Sequence, residues 1–392
     1  MTEINRIYIE KIKNVLDSKG DVAGSLSYET GLLGKALFYF YYARYTNDTS
    51  YIDKAQENFS DALSALDLEN FKPLYRTDSL DSHLAHLGRF ITFCNDNGFL
   101  ELDDADYLSK IDDVLFSLME SKISSGNFDL NNGALAAGYH YLSRYPKISK
   151  AGEHLGRLVK GILEKAKTDL DGDCFWELPV MGNRVYLGIS HGSALIISFL
   201  VNVYEKGIEK EICAGLIKKA SHFVLKQKFR FEKGLFPNYI GDVEDDRKQF
   251  SLCYGDIGIG YALYRAGDIL GENRLKLTAQ EILDDCLERK REDRLTLDAS
   301  IIYGAAGLAE TFDKLYRLNQ DLRFKKASEY WYNSIPSYAI HNDEYAGYKT
   351  RINNAGDLWN ISFGWGIIGI GISLMRSEDN KLPPIDALLS VA

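Results

Sequence analysis

A Gly-x-x-Gly step that opens an apolar run recurs along the whole chain, and a step repeated at near-even spacing leaves few folds open. The clearest copy is SLCYGDIGIG, Ser251 to Gly260, with Gly255 and Gly258 and with Cys253 and Tyr254 directly ahead of them. Further copies carry Gly31 and Gly34, Gly188 with His191 and Gly192, Gly304 and Gly307, and Gly366 and Gly369. Two are degraded. DSHLAHLGRFITFC keeps only Gly88, and DLNNGALAAGYHYL keeps Gly133 with Ala136 in place of the second glycine. A spacing of roughly 50 to 60 residues suits a helical hairpin with its loops.

Between the copies lie more polar stretches with apolar residues at helical spacing, such as Ile52, Ala55, Phe59, Leu63 and Leu66. Similar stretches cover Asp104 to Met119, Gly152 to Ala166, Glu209 to Lys228, Lys276 to Lys290 and Leu322 to Asn333, and an N-terminal helix is expected over Ile4 to Leu16. The chain thus reads as seven helical hairpins. The Gly-led helices, apolar almost all round, are predicted to be the buried inner ones and their partners the outer ones. The predicted fold is all-α, an α/α toroid in one domain over residues 1–392. Glycine at each inner opening lets backbones approach closely and frees the preceding turn for positive φ. The crowded inner N-termini are predicted to present unpaired N–H groups and positive dipole ends, a favourable place for a thiolate, a carboxylate or an enolate.

Composition narrows the partners. The chain carries 46 basic against 56 acidic residues, which argues against nucleic acid. No apolar run of about 18 residues appears, so a cytoplasmic protein that is not integral to a membrane is expected. Five cysteines without a C-x-x-C pair fit reduced thiols, with Cys94, Cys213 and Cys286 read as buried hydrophobes. Only 7 prolines and little strand alternation disfavour a β-propeller of similar repeat length. The loop Arg230 to Phe250, leading straight into Cys253, reads as a lid.

The ordered motifs resemble the lanthionine synthetase C-like (LanC) peptide cyclases, over essentially the whole chain. LGISHGSA looks like the family's G-x-x-H-G step, SLCYGDIG like its W-C-Y-G-x-x-G step, and FDLNNG like a third element with an aspartate four residues before glycine. The resemblance implies addition of a peptide cysteine thiol to dehydroalanine or dehydrobutyrine, closing lanthionine or methyllanthionine rings in a ribosomally made precursor. It implies His191 and Asp129 as acid/base residues, Tyr254 as a nearby proton donor and Cys253 as a zinc ligand. The implied partners are the dehydrated precursor peptide and, in the same pathway, a dehydratase and an exporter.

The sequence departs from the family at the metal. Where members carry a Cys-His pair ahead of the sixth repeat's glycine, this chain has Ile302 and Tyr303. One cysteine cannot complete a zinc site, which needs three protein ligands or more; His83 and His86 are read as polar residues of a degraded repeat rather than as its missing partners. No metal and no other cofactor is therefore expected. The family's arginine four residues before the cysteine is replaced by Gln249, with Arg247 and Lys248 just upstream; these three and Cys253 are the candidate substrate-binding residues. The expected function is a zinc-independent cyclase with His191, Asp129, Tyr254 and Tyr303 as catalytic groups. Asp256 is read as support for a helix N-terminus. The alternative is a catalytically inactive scaffold of the same fold that binds a precursor peptide or partner enzymes.

Overall fold

The computed structural model describes residues 3–19, 25–66, 71–75, 78–228, 234–241, 249–342, 344–351, 356–389 and 391. The helices in chain order are α1 (Glu3–Ser18), α2 (Leu32–Thr46), α3 (Ser50–Ser64), α4 (Leu80–Asp96), the single turn α5 (Asp104–Tyr107), α6 (Ser109–Ser124), α7 (Ala134–Arg144) and α8 (Ser149–Lys165). They continue with α9 (Ser193–Glu205), α10 (Lys210–Lys226), α11 (Asp256–Leu270), α12 (Asn273–Leu287), α13 (Ala305–Asn319), α14 (Leu322–Ser334), α15 (Gly356–Ile361) and α16 (Ile367–Glu378). Two-residue strands, β1 (Lys167–Thr168) and β2 (Cys174–Phe175), pair antiparallel. Among the described residues no helix is long and apolar enough to cross a membrane.

The chain divides into two compact units, Met1–Leu74 with Lys290–Asp386, and Tyr75–Arg289 with Ala387–Ala392. In the first unit α2 pairs with α3, α13 with α14 and α1 with α16, and α16 also touches α2 and α13. In the second, α4, α7, α9 and α11 pack in succession and are backed by α6, α8, α10 and α12. Burial follows the predicted division of labour. Every residue of α9 from Ser193 to Val201 is buried, whereas α8 buries one stripe, with Ala151, Leu155, Leu158, Val159 and Ile162 inward. Each such Leu, Ile or Phe taken out of water contributes about 1.5–3 kcal/mol.

The inner helices open in a common way. Their N-caps are Gly31, Ser79, Gly133, Gly192, Gly255, Gly304 and Gly366. In four of them a first-turn N–H donates to a carbonyl seven residues back: Leu32 to Ser25 (2.9 Å), Ala134 to Asn127 (2.9 Å), Ser193 to Tyr186 (3.0 Å) and Ala305 to Asp298 (3.1 Å). This overturns the expectation that these N–H groups stand unpaired. A buried donor must be satisfied, and a loop folded back on its own helix supplies the acceptor.

The same loop explains the glycines. A Cβ on Gly31 would overlap the carbonyl oxygen of Ser25, and one on Gly192 the backbone of Tyr186. Most of these N-caps are extended, Gly133 for example at φ −122. Positive φ, expected for the turns in general, is found among these glycines at Gly255, φ 117. Close approach, not handedness, is what selects glycine at the rest.

The second repeat corrects the sequence register. Ser79 is its N-cap, its side chain accepting from Ser82 N, and Gly88 lies about two turns inside α4. There a Cβ would run into the His140 ring, whose Nε2 lies 2.6 Å from the Asp112 carboxylate. Gly88→Ala is expected to cost about 1–3 kcal/mol through this overpacking, read as a lowered denaturant midpoint with an unchanged slope.

Candidate active site

The turns before the inner helices share a frame that places the chemistry. Four residues ahead of the N-cap stands Ser27, Asp129, Ser251, Ser300 or Ser362, depending on the repeat. Its side-chain oxygen accepts the N–H of the residue directly before the N-cap: Asn132 on Asp129 (3.2 Å), Tyr254 on Ser251 (3.1 Å), Tyr303 on Ser300 (3.2 Å) and Trp365 on Ser362 (3.1 Å). The residues so held, or standing at that position, are Thr30, Asp78, Asn132, His191, Tyr254, Tyr303 and Trp365. Three of the four expected catalytic residues occupy this one position.

Asp129 is the exception that makes a site. A serine at its position spends its single oxygen on the turn. Asp129 does the same with Oδ1, which accepts from Asn131 N at 2.9 Å and Asn132 N at 3.2 Å, and keeps Oδ2 for another partner. That partner is His191, whose Nδ1 lies 2.6 Å from Oδ2. Burial of Asp129 opposes its ionisation, yet the His191 ring and the two backbone donors outweigh it and hold the carboxyl below its ordinary value. The carboxylate therefore takes an N–H from Nδ1, which fixes the tautomer of the ring. One side chain thus both caps its turn and partners the His191 ring.

Around this dyad the second unit gathers the remaining groups. His191 is 18% exposed while Asp129 is almost fully buried. The Tyr254 ring lies 6.4 Å from the imidazole and the Tyr186 ring 6.1 Å from it, edge-on. Ser190, next to His191, donates its hydroxyl to Cys253 Sγ at 2.6 Å. The motif LGISHGSA contains Ser190, but a serine beside a histidine gives no sequence signal of a bond to a cysteine 63 positions away. Gln249 donates its amide to Ser251 Oγ at 2.8 Å and so braces the turn that carries Cys253 and Tyr254. Arg247 and Lys248 lie outside the described residues.

The described part of the expected lid is stitched down. Leu187 N donates to Asn238 O at 3.0 Å and Ile240 N to Val185 O at 2.9 Å. Asp256, read as a helix support, accepts from Leu235 N at 2.9 Å and Phe236 N at 3.1 Å and pairs with Arg289. It anchors this segment rather than its own helix turn. Tyr303 belongs to the first unit, where the Arg351 guanidinium lies 5.5 Å from its ring centre and Arg351 N donates to Asp298 Oδ2 at 3.0 Å.

Cys253 Sγ accepts from a serine hydroxyl, Ile302 carries no ligand atom in its side chain, and His83 is engaged with Asp78 at 2.6 Å. Among the described residues no three His, Cys, Asp or Glu side chains are grouped to hold a metal ion. All five cysteines are buried and free of disulfides, and burial pushes the Cys213 thiol up to about 12.

Comparison with known proteins follows the same lines. No curated protein matches the sequence. A solved structure of nisin cyclase is similar at a TM-score of 0.73 and 18% identity, covering 99% of this chain and 96% of that one. That likeness shows the fold class expected from the repeats, an all-α, α/α toroid. A cellobiose 2-epimerase from Bacillus thermoamylovorans B4167 is similar at 13% identity over 96% of this chain and 100% of that one, with a TM-score of 0.43. The family described as lanthionine synthetase C-like protein matches residues 23–389. With the motifs in order and that match spanning nearly its whole length, this chain belongs to the lanthionine synthetase C-like family.

Proposed function

We propose that the protein is a lanthipeptide cyclase that adds peptide cysteine thiols to dehydroalanine or dehydrobutyrine without zinc. The observation that carries this reading is the Asp129–His191 pair at 2.6 Å, with an ionised carboxylate fixing the imidazole's tautomer beside the Tyr254 phenol. In the reaction the thiol S–H bond breaks, sulfur bonds to the β-carbon, the π pair moves onto the carbonyl as an enolate, and the α-carbon takes a proton. His191 delivers that proton. Tyr254 donates a hydrogen bond to the enolate oxygen. Cys253, held by Ser190, and Gln249, with Arg247 and Lys248, contact the peptide.

The energetics allow a metal-free route. A thiol of pKa about 8.5 is a few per cent ionised at pH 7, so full ionisation by a metal gains roughly 30-fold, or about 2 kcal/mol. A positioned base or acid supplies about 10²- to 10⁴-fold, and tethering both reactants on one peptide adds several kcal/mol. The substrate is a dehydrated precursor peptide, and a cytoplasmic setting beside a dehydratase and an exporter completes the proposal. The test is to incubate the protein with such a peptide under a strong chelator and count free thiols. Thiol loss that persists with chelator and is lost in His191→Gln supports the reading. Unchanged thiols on a peptide shown to bind indicate an inactive scaffold instead, and tightly held stoichiometric zinc in the purified protein overturns the metal-free route.

A further inference from the structure

A short strip of extended chain, Arg184 to Leu187, leads into His191 and is bonded to both of its neighbours. Leu178 N donates to Arg184 O at 2.9 Å, Ile240 N to Val185 O at 2.9 Å and Leu187 N to Asn238 O at 3.0 Å. Alternation along extended chain puts Arg184 and Tyr186 on one face. The bridge between Tyr186 and Tyr239 brings the Tyr239 ring to that face as well. The groups then run in a line. The Tyr186 ring lies 6.1 Å from the His191 ring, the Tyr239 ring 5.3 Å from Tyr186, and the Arg184 guanidinium 4.6 Å from the Tyr239 ring centre. Exposure grows along the line: Tyr186 is 8% exposed, Tyr239 is half-buried and Arg184 is exposed. The far end is a cation on a chain of net charge −10, and among the described residues no carboxylate pairs with it. A guanidinium held over a ring face still has its fork of N–H donors for a carboxylate.

We propose that Tyr186, Tyr239 and Arg184 form a docking track for the substrate peptide, on which Arg184 selects an acidic residue near the reacting one. This rests on the cyclase reading. The three steps bound the distance from guanidinium to imidazole at about 16 Å, and an extended peptide covers about 3.3 Å per residue. The selected carboxylate therefore falls within about five residues of the dehydroalanine or dehydrobutyrine held at His191. The two tyrosine rings cover the peptide surface in between, with large contact area at little loss of side-chain freedom. Charge supports this occupant over a basic one, since the track ends on a cation. Arg184 acts as a specificity residue: it meets the peptide away from the reacting atoms, so its effect belongs in KM rather than kcat.

The test uses labelled synthetic peptides with one dehydroalanine and one cysteine. A single glutamate is moved through about six residues on either side of the dehydroalanine, each peptide against its glutamine counterpart. Binding is read by fluorescence anisotropy and turnover by thiol loss, both at low salt to limit screening. At one or more positions within about five residues, glutamate is expected to lower Kd and KM about three- to fivefold, the span of an exposed ion pair. The kcat is expected to change less than about twofold. R184Q erases the preference, and R184E reverses it in favour of lysine at the same position. Equal binding of glutamate and glutamine peptides at every position, no binding at all, or a preference that survives in R184Q overturns the proposal. A preference that R184Q erases, on peptides whose thiols are never consumed, removes the cyclase reading and leaves the track. Thiol loss without any preference removes the track alone.

Discussion

His191→Gln is expected to slow thioether formation about 10²- to 10⁴-fold, the span over which a positioned acid or base acts. The substitution keeps a polar side chain of similar length but removes the nitrogen that exchanges a proton. It also leaves the Asp129 carboxylate without the ring that helps hold it ionised. Because Asp129 Oδ1 still accepts from Asn131 N and Asn132 N, the turn before α7 stays closed and the thermal midpoint is expected to shift little. The loss belongs in kcat, since the proton delivered to the α-carbon is needed only after the peptide is bound. A rate within threefold of the unaltered protein, with ring closure verified by mass, removes His191 from the chemistry.

Asp256→Ala has the largest expected effect on stability. Its carboxylate satisfies Leu235 N, Phe236 N and the Arg289 guanidinium together, and both charged residues are largely buried. Removing one member of a buried pair strands the other, at a cost of about 3–5 kcal/mol. The released segment is bonded to the strip at Val185 to Leu187, which leads into His191. A denaturant titration is therefore expected to show the full loss, and proteolysis to cut first between Leu235 and Ile240. Asp256→Asn, which keeps the shape and one acceptor oxygen but neither the charge nor the second acceptor, should fall between Asp256→Ala and the unaltered protein. A loss under about 1 kcal/mol is the outcome that contradicts this account, because it equates the pair with a surface salt bridge.

Much of the fold was legible because a buried helix leaves a strong mark on sequence. The runs after Gly192 and Gly366 are apolar all round, and their outer partners show one stripe, so hairpin order and class followed from periodicity and repeat length. The register of the second repeat was not legible. Ser79 caps as well as glycine does there, and Gly88, the visible glycine, serves an unrelated contact with His140. Asp129, His191, Tyr254 and Cys253 were legible as motif positions, but a motif does not say what a second carboxylate oxygen touches.

What the chain alone determined is the set of inner helices and the residues that open them, since hydrophobic period and glycine are local properties. Only the tertiary structure decided which of those openings meet. It gave Asp129 the ring of His191 and Cys253 the hydroxyl of Ser190. Contacts between side chains tens of residues apart depend on how the turns close, and those turns close through backbone carbonyls that any residue can supply.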